Sequence, residues 1–313
     1  MELSTAKFAG HQSFPFRNTW LTKGVVNCAK NPGVFREEDA LVLLGVGKNM
    51  VDSIKYWCLA TQVLEVDPEI KNNRGYYLRP TPVGEKVFLD NGGWDRYLED
   101  EGTLWLLHYL LATNPTEATT VYFAFNEMSG LEFTRDGLRQ SIISIARKLP
   151  GLNWSENTIG RDLNVFIRMY VGSHNAAGVS VEDSLDCPLA ELGLIYEDPT
   201  RRSYAFSRGP KDGLPDAVVF YAIWNYAQHK SEQRSFTFDE LAYRPLGPGR
   251  VLKLSEPALA ERLERLSKIT SGALQLTETA GYRQVLIMED FDPVDILSNY
   301  YEHRWGGGPD GRE

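Results

Sequence analysis

The chain has 313 residues, 42% of them hydrophobic and 12% aromatic, which is enough for a sizeable core and for more than one domain. A formal net charge of −9 excludes a protein coated in positive charge, so any contact with nucleic acid must use local basic patches on an acidic body. No run of about 18 apolar residues is available to span a membrane. The N-terminus also lacks a basic-then-apolar leader.

From the N-terminus, residues 7–17 place aromatics around Gly10 and Pro15 and read as a structured arm, mostly basic through Lys7 and Arg17. The spacing of Trp20, Leu21, Val25 and Cys28 predicts a helix over 17–30, stopped by Asn31-Pro32-Gly33. A short helix over 38–44 is broken by Gly45 and Gly47, and a second runs over 48–61. In that second helix Met50, Val51, Ile54, Trp57 and Cys58 face inward, leaving Lys48, Asn49, Asp52, Ser53, Lys55 and Tyr56 outside. Lys and Asn near the start of such a helix suit a major-groove reader, Lys for phosphate or guanine and Asn for adenine; a helical hairpin with a solvated face is the plainer alternative. A strand over 63–66, a tip over 71–75 carrying Asn73 and Arg74, and a return strand over 76–79 form a hairpin, and Thr81 and Pro82 open a further helix with Glu85 as capping partner. This is the order of a winged helix-turn-helix, a fold that also serves protein binding.

Residues 95–172 read as a helical middle, with helices over 104–112, 118–128 and 135–149 and another from Ser155. Arg135, Arg139, Arg147, Lys148, Arg161 and Arg168 outnumber Glu132, Asp136, Glu156 and Asp162, a modest positive excess that either tracks a phosphate backbone or is simply solvated. A strand over 203–207, an aromatic helix over 214–229, helices over 236–243 and 256–268, and alternating segments over 273–277 and 283–288 repeat the winged order. The mixed charges Glu256, Glu261, Arg262, Glu264, Arg265 and Lys268 suit protein docking or a homodimer better than DNA. The fold class expected is therefore mainly α with small β-hairpins: a basic arm plus winged helix-turn-helix (1–93), a helical middle (94–180), a second winged-helix-like domain (181–305) and a flexible tail (306–313).

Few motifs point to catalysis. Gly45-Val46-Gly47-Lys48-Asn49 looks like a phosphate loop but has Val42 where the first glycine belongs and Asn49 where Ser or Thr belongs. His11, in a glycine-opened turn with Ser13, is either a general base or phosphate ligand, or a structural histidine. Asp95, Glu99, Asp100 and Glu101 are spaced to hold a divalent ion, or to favour the dipole of the helix that follows. Cys28, Cys58 and Cys187 have no CxxC spacing and read as buried thiols of a cytoplasmic protein.

Five phrases carry a resemblance: Phe-Ala-Gly-His-Gln-Ser-Phe-Pro-Phe-Arg at 8–17, Leu-Gly-Val-Gly-Lys-Asn-Met-Val at 44–51, Tyr-Leu-Glu-Asp at 97–100, Gly-Thr-Leu-Trp-Leu-Leu-His at 102–108 and Pro-Leu-Ala-Glu-Leu-Gly-Leu-Ile at 188–195. Together they resemble an uncharacterised-domain family associated with bacterial DNA phosphorothioation genes, whose best-described member is the nicking component of a single-strand phosphorothioation system. The resemblance implies a DNA-binding, DNA-nicking protein of modification or antiphage defence, working beside a cysteine desulfurase, an ATPase and a sulfur-transfer enzyme. The resemblance assigns no residues; from the residue-by-residue reading above, Arg17, Lys48, Asn49, Lys55, Asn73, Arg74, Arg135 and Arg139 are the expected DNA contacts. His11, Asp95, Glu99 and Asp100, with Mg²⁺ or Mn²⁺, are the expected catalytic group. A non-catalytic adaptor that recruits sulfur-transfer enzymes and a winged-helix transcriptional regulator are the alternatives.

Overall fold

The computed structural model describes residues 6–71, 73–148, 154–171, 187–230, 233–279, 281–290 and 292–304. The stop expected at Pro150-Gly151, Asn72 of the hairpin tip and the tail 306–313 lie outside the described residues. The protein is mainly helical with small antiparallel sheets. The chain forms two compact units, Met1–Ser207 and Arg208–Glu313. The segments expected at 1–93 and 94–180 both fall in the first.

In the first unit the elements are α1 (Asn18–Lys30), α2 (Ala40–Leu44), α3 (Lys48–Ala60), β1 (Leu64–Val66), β2 (Leu78–Pro80), α4 (Pro82–Phe88), α5 (Glu101–Ala112), α6 (Thr119–Asn126), β3 (Glu132–Phe133), α7 (Arg135–Ala146), α8 (Glu156–Val171), β4 (Ile195–Asp198) and β5 (Ser203–Phe206). The α2–α3 turn depends on Gly45, which caps α2 in the left-handed region at φ 63°, a conformation glycine adopts without a Cβ clash. Helix α1 packs against α3, β2 and α4. Helix α5 is apolar on all sides and every residue from Gly102 to Ala112 is buried, as such a pattern requires.

Several local expectations are corrected. Ser53 and Tyr56 of α3 are buried rather than outward, because the N-terminal arm covers that side of the helix. Thr81 does cap α4, accepting from Gly84 N–H, but Glu85 does not complete a capping box, since the Thr81 N–H is donated to Val63 O instead. β5 pairs with β3 on one side and β4 on the other in a three-stranded antiparallel sheet, so these strands belong to the first unit, and the second begins at Arg208 rather than at 181.

The second unit contains α9 (Asp216–His229), β6 (Ser235–Thr237), α10 (Phe238–Tyr243), α11 (Pro248–Val251), α12 (Glu256–Ile269), β7 (Leu274–Thr279), β8 (Tyr282–Ile287) and α13 (Pro293–Arg304). β8 lies between β6 and β7, with register Phe236↔Val285 and Leu276↔Val285. The mixed face of α12 is partly an internal clamp rather than a docking surface. Arg262 is buried and donates to Leu214 O, Lys211 O and Asp216 Oδ1, while Arg265 holds both oxygens of Asp216. All three cysteines are buried with no disulfide between them, and burial pushes the Cys28 thiol up to about 12. Among the described residues no helix is long and apolar enough to cross a membrane.

Lys253, in the turn after α11, is only 8% exposed. Burial, then the nearby Arg250, Arg208 and Lys211, lower its ammonium to about 7. Between that value and the ordinary lysine range the unfolded chain holds a proton that the folded chain lacks. Stability therefore rises with pH across this window, with a contribution approaching about 1.4 kcal/mol per pH unit, and the advantage disappears as pH falls toward 7. Urea denaturation across the window should show that rise in the natural chain and a flatter curve in Lys253→Met. Parallel curves would contradict the assignment.

Candidate nucleic-acid interface

The arm at 8–17 is fixed by one buried carboxylate. Asp162 of α8 accepts from Ala9 N–H at 2.5 Å and from His11 Nε2 at 2.8 Å through Oδ1, and from Thr120 Oγ1 at 3.1 Å through Oδ2. Ser13 N–H donates to His11 Nδ1 at 3.0 Å, which leaves Nδ1 an acceptor and puts the ring proton on Nε2, facing Asp162. His11 stacks on Trp57 at 5.9 Å between centroids, and its carbonyl accepts from Ser53 Oγ. Trp57 Nε1 donates to Phe14 O, and Tyr56 OH to Glu117 O. Gly10 is required by close approach, because a Cβ there would lie 2.4 Å from the Tyr56 ring. The cavity at this junction is about 10 Å³, no more than a water needs, so it holds no substrate. His11, 2% exposed and bonded to Asp162, thus lies in the core rather than at a surface that meets phosphate.

This clasp seats α3, whose exposed residues include Lys48, Asn49 and Asp52. Beside it the β1–β2 hairpin is built on Asn73, which is 7% exposed. Its Nδ2 donates to Asp67 O and Tyr77 O, and its Oδ1 accepts from Tyr76 N–H and Tyr77 N–H. Asn73 is therefore a scaffold of the tip and not a surface contact. Lys55 is half-buried and donates to Gly75 O at 2.7 Å, tying α3 to the hairpin; burial, then the charge of Lys7, lowers its pKa. Arg74 is exposed at the tip. Arg36 lies 3.8 Å from the centroid of the Tyr76 ring, and Arg17 5.4 Å from that of Trp20. Lys7 and Arg36 lie near Lys55, but so do Asp52 and Glu117, and Lys7 is paired with Glu117 at 2.7 Å; Lys48 at the start of α3 and Arg74 at the hairpin tip add exposed positive charge.

A second surface lies between α7 and α8, where a polar groove of about 380 Å³ is lined by Arg135, Arg139, Arg161, Glu156 and Asn164. Arg135 donates to Asn164 Oδ1 and Arg139 pairs with Glu156, each at about 2.8 Å or less. Arg161 is exposed.

Two of the carboxylates at 95–101, Asp95 and Asp100, are engaged with the backbone. Asp95 accepts from Glu99 N–H and Asp100 N–H, one on each oxygen, and Asp100 caps α5 by accepting from Gly102 N–H at 2.6 Å. Asp95 and Asp100 are buried; Glu99 is exposed, and Glu101 accepts from Trp105 Nε1. The bonded oxygens of Asp95 and Asp100 thus hold the turn and the start of α5. Among the described residues no group of three or more His, Cys, Asp or Glu side chains is arranged to hold a metal.

Sequence reasoning missed Asp162, Arg36 and Tyr76. Asp162 had a signal: it sits in the apolar stripe formed with Ile159, Leu163 and Phe166, where an acid must find buried donors. The pairing of Arg36 with Tyr76 joins segments distant in the chain and had none.

A mainly helical protein with a small hairpin beside an exposed basic helix is the class these features define. The profile of the family described as "Protein of unknown function (DUF4007)" matches residues 8–301. Two solved structures, a magnesium ion-bound SspB and an SspB, align over 100% of this chain and 93% and 94% of theirs, at TM-scores of 0.86 and 0.84 and 31% identity in both cases. Comparison with curated protein sequences returns no match. The chain belongs to the DUF4007 family, with an SspB-like fold.

Removing one partner of a buried pair leaves the other uncompensated. His11→Ala should therefore cost about 3 kcal/mol in chemical denaturation, Asp162→Ala a similar amount, and the double variant less than their sum. Additive costs would show that the two do not act as a pair. Asn73→Ala should cost about 2 kcal/mol and speed amide exchange at Tyr76 and Tyr77; unchanged exchange would remove Asn73 as the hairpin's scaffold.

Proposed function

We propose that this chain is a DNA-binding component of a bacterial phosphorothioate modification or defence system, and that the first unit engages DNA as a winged helix-turn-helix. The observation that carries this reading is the basic, clasp-seated α3 with a hairpin fixed beside it by Lys55 and Asn73. On this reading Lys48 and Asn49 at the start of α3 reach base edges or phosphate in the major groove, and Arg74 and Arg36 meet the backbone from the hairpin side. Arg17 extends the basic surface. The α7–α8 groove, through Arg135, Arg139 and Arg161, is a second phosphate contact, weakened by Glu156. Family resemblance supplies the phosphorothioation setting and, with it, a cysteine desulfurase, an ATPase and a sulfur-transfer enzyme as partners. The order of α9, β6, α10, α11, α12, β7 and β8 supports a second winged helix in the other unit.

A nicking role is the second reading, favoured by the likeness to a magnesium ion-bound SspB. It places Mg²⁺ or Mn²⁺ as the ion, held by residues other than the backbone-engaged Asp95 and Asp100. Supercoiled plasmid incubated with the pure protein and either ion separates the two: open circles support nicking, and intact plasmid with DNA binding retained supports an adaptor.

Binding itself is tested by salt titration. Combining Lys48→Ala with Arg74→Ala should weaken duplex binding. It should also lower the slope of log K against log salt by about 0.9 for every phosphate that is no longer neutralised. An unchanged slope and affinity would take this surface out of the interface.

A further inference from the structure

Helix α2, Ala-Leu-Val-Leu-Leu, has no polar residue. A helix that is apolar on every side belongs in an interior, yet α2 is covered on one side only. Ala40 and Leu44 are 4% and 1% exposed, whereas Leu41, Val42 and Leu43 are 40%, 80% and 47% exposed. Three consecutive apolar side chains held open on a helix stay in water at a cost that a docking surface explains. Glu37, Glu38 and Asp39, all exposed, stand immediately before the helix.

This charge decides what the surface takes. Three adjacent carboxylates disfavour phosphate at the α2 face itself, whereas Arg36, next to them in sequence, lies over the Tyr76 ring of the hairpin. A second copy of a chain of charge −9 is disfavoured for the same reason, since two meeting α2 faces bring two acidic triads toward one contact. We infer that the α2 face docks a segment of a partner protein, amphipathic, with apolar side chains for Leu41, Val42 and Leu43 and flanking Lys or Arg for Glu37, Glu38 and Asp39. Docking on this face does not depend on DNA binding by α3.

The test uses the full chain and a fluorescein-labelled amphipathic leucine–lysine peptide, with a leucine–glutamate peptide as control, read by fluorescence anisotropy. The leucine–lysine peptide should bind, and Val42→Glu should weaken it by about tenfold or more. That variant adds negative charge, so a purely ionic attraction would grow rather than fall. Glu38→Lys should weaken binding as well. Binding that is unchanged or tighter in Val42→Glu, or equal binding of the leucine–glutamate peptide, overturns the inference. Sedimentation showing a natural dimer that Val42→Glu dissociates also overturns it, in favour of a second copy as the occupant. Because Val42 is 80% exposed, the variant should unfold at the natural temperature, which checks that weaker binding does not reflect a damaged fold.

Discussion

Three donors from two distant parts of the chain converge on the carboxylate of Asp162, and the first unit's N-terminal half is arranged around that point. A buried carboxylate without partners is strongly unfavourable; the arm supplies two donors and α6 the third. In return the arm is held in a conformation it would not keep alone, with Ala9, Gln12 and Ser13 at φ of 61°, 49° and 67°. Such residues each cost roughly 1–3 kcal/mol and persist only when surrounding contacts over-determine them. Here the contacts are the His11–Asp162 pair, the Ser13–His11 bond and the packing of His11 and Tyr56 around Gly10. The histidine therefore works through structure: it locks the arm across α3, α6 and α8.

That lock determines what α3 can present. Its inner side, including Ser53, Tyr56 and Trp57, is spent on the arm, and Lys48, Asn49 and Asp52 are left exposed. Lys55 joins helix to hairpin, and Asn73 rigidifies the tip that carries Arg74. A small rigid basic surface on an acidic chain favours local, oriented contact over nonspecific attraction to any polyanion. The acidic, apolar face of α2 next to it has the opposite chemistry, so one short stretch of chain offers two surfaces that suit different partners.

Periodicity made the helices legible. The 17–30 expectation matches α1 (Asn18–Lys30) and the 48–61 expectation matches α3 (Lys48–Ala60), because apolar residues at helical spacing need a core whatever their tertiary neighbours. The two-residue strand β3 was not legible: Glu132 and Phe133 form a strand only because Ala205 and Tyr204 lie opposite. Exposure was legible at Lys48, Asn49 and Arg74, which project into solvent as their places on the helix and the tip imply. The candidate site was misread where polar residues serve the backbone. Asn73, Asp95 and Asp100 have the composition of ligands, but each is occupied by nearby amides, and only the folded turn reveals that. Asp162 shows the converse, a residue read as surface charge that its place in an apolar stripe assigns to the interior.

Whether a clasped arm presents α3 and the hairpin to nucleic acid is decided by hydrogen exchange of the full chain with and without duplex DNA. Exchange should slow at the start of α3 and at Tyr76 and Tyr77, with the amides of Ala9 and Ser13 already protected and unchanged by DNA. Protection that arises elsewhere, with α3 and the hairpin unaffected, would contradict that presentation.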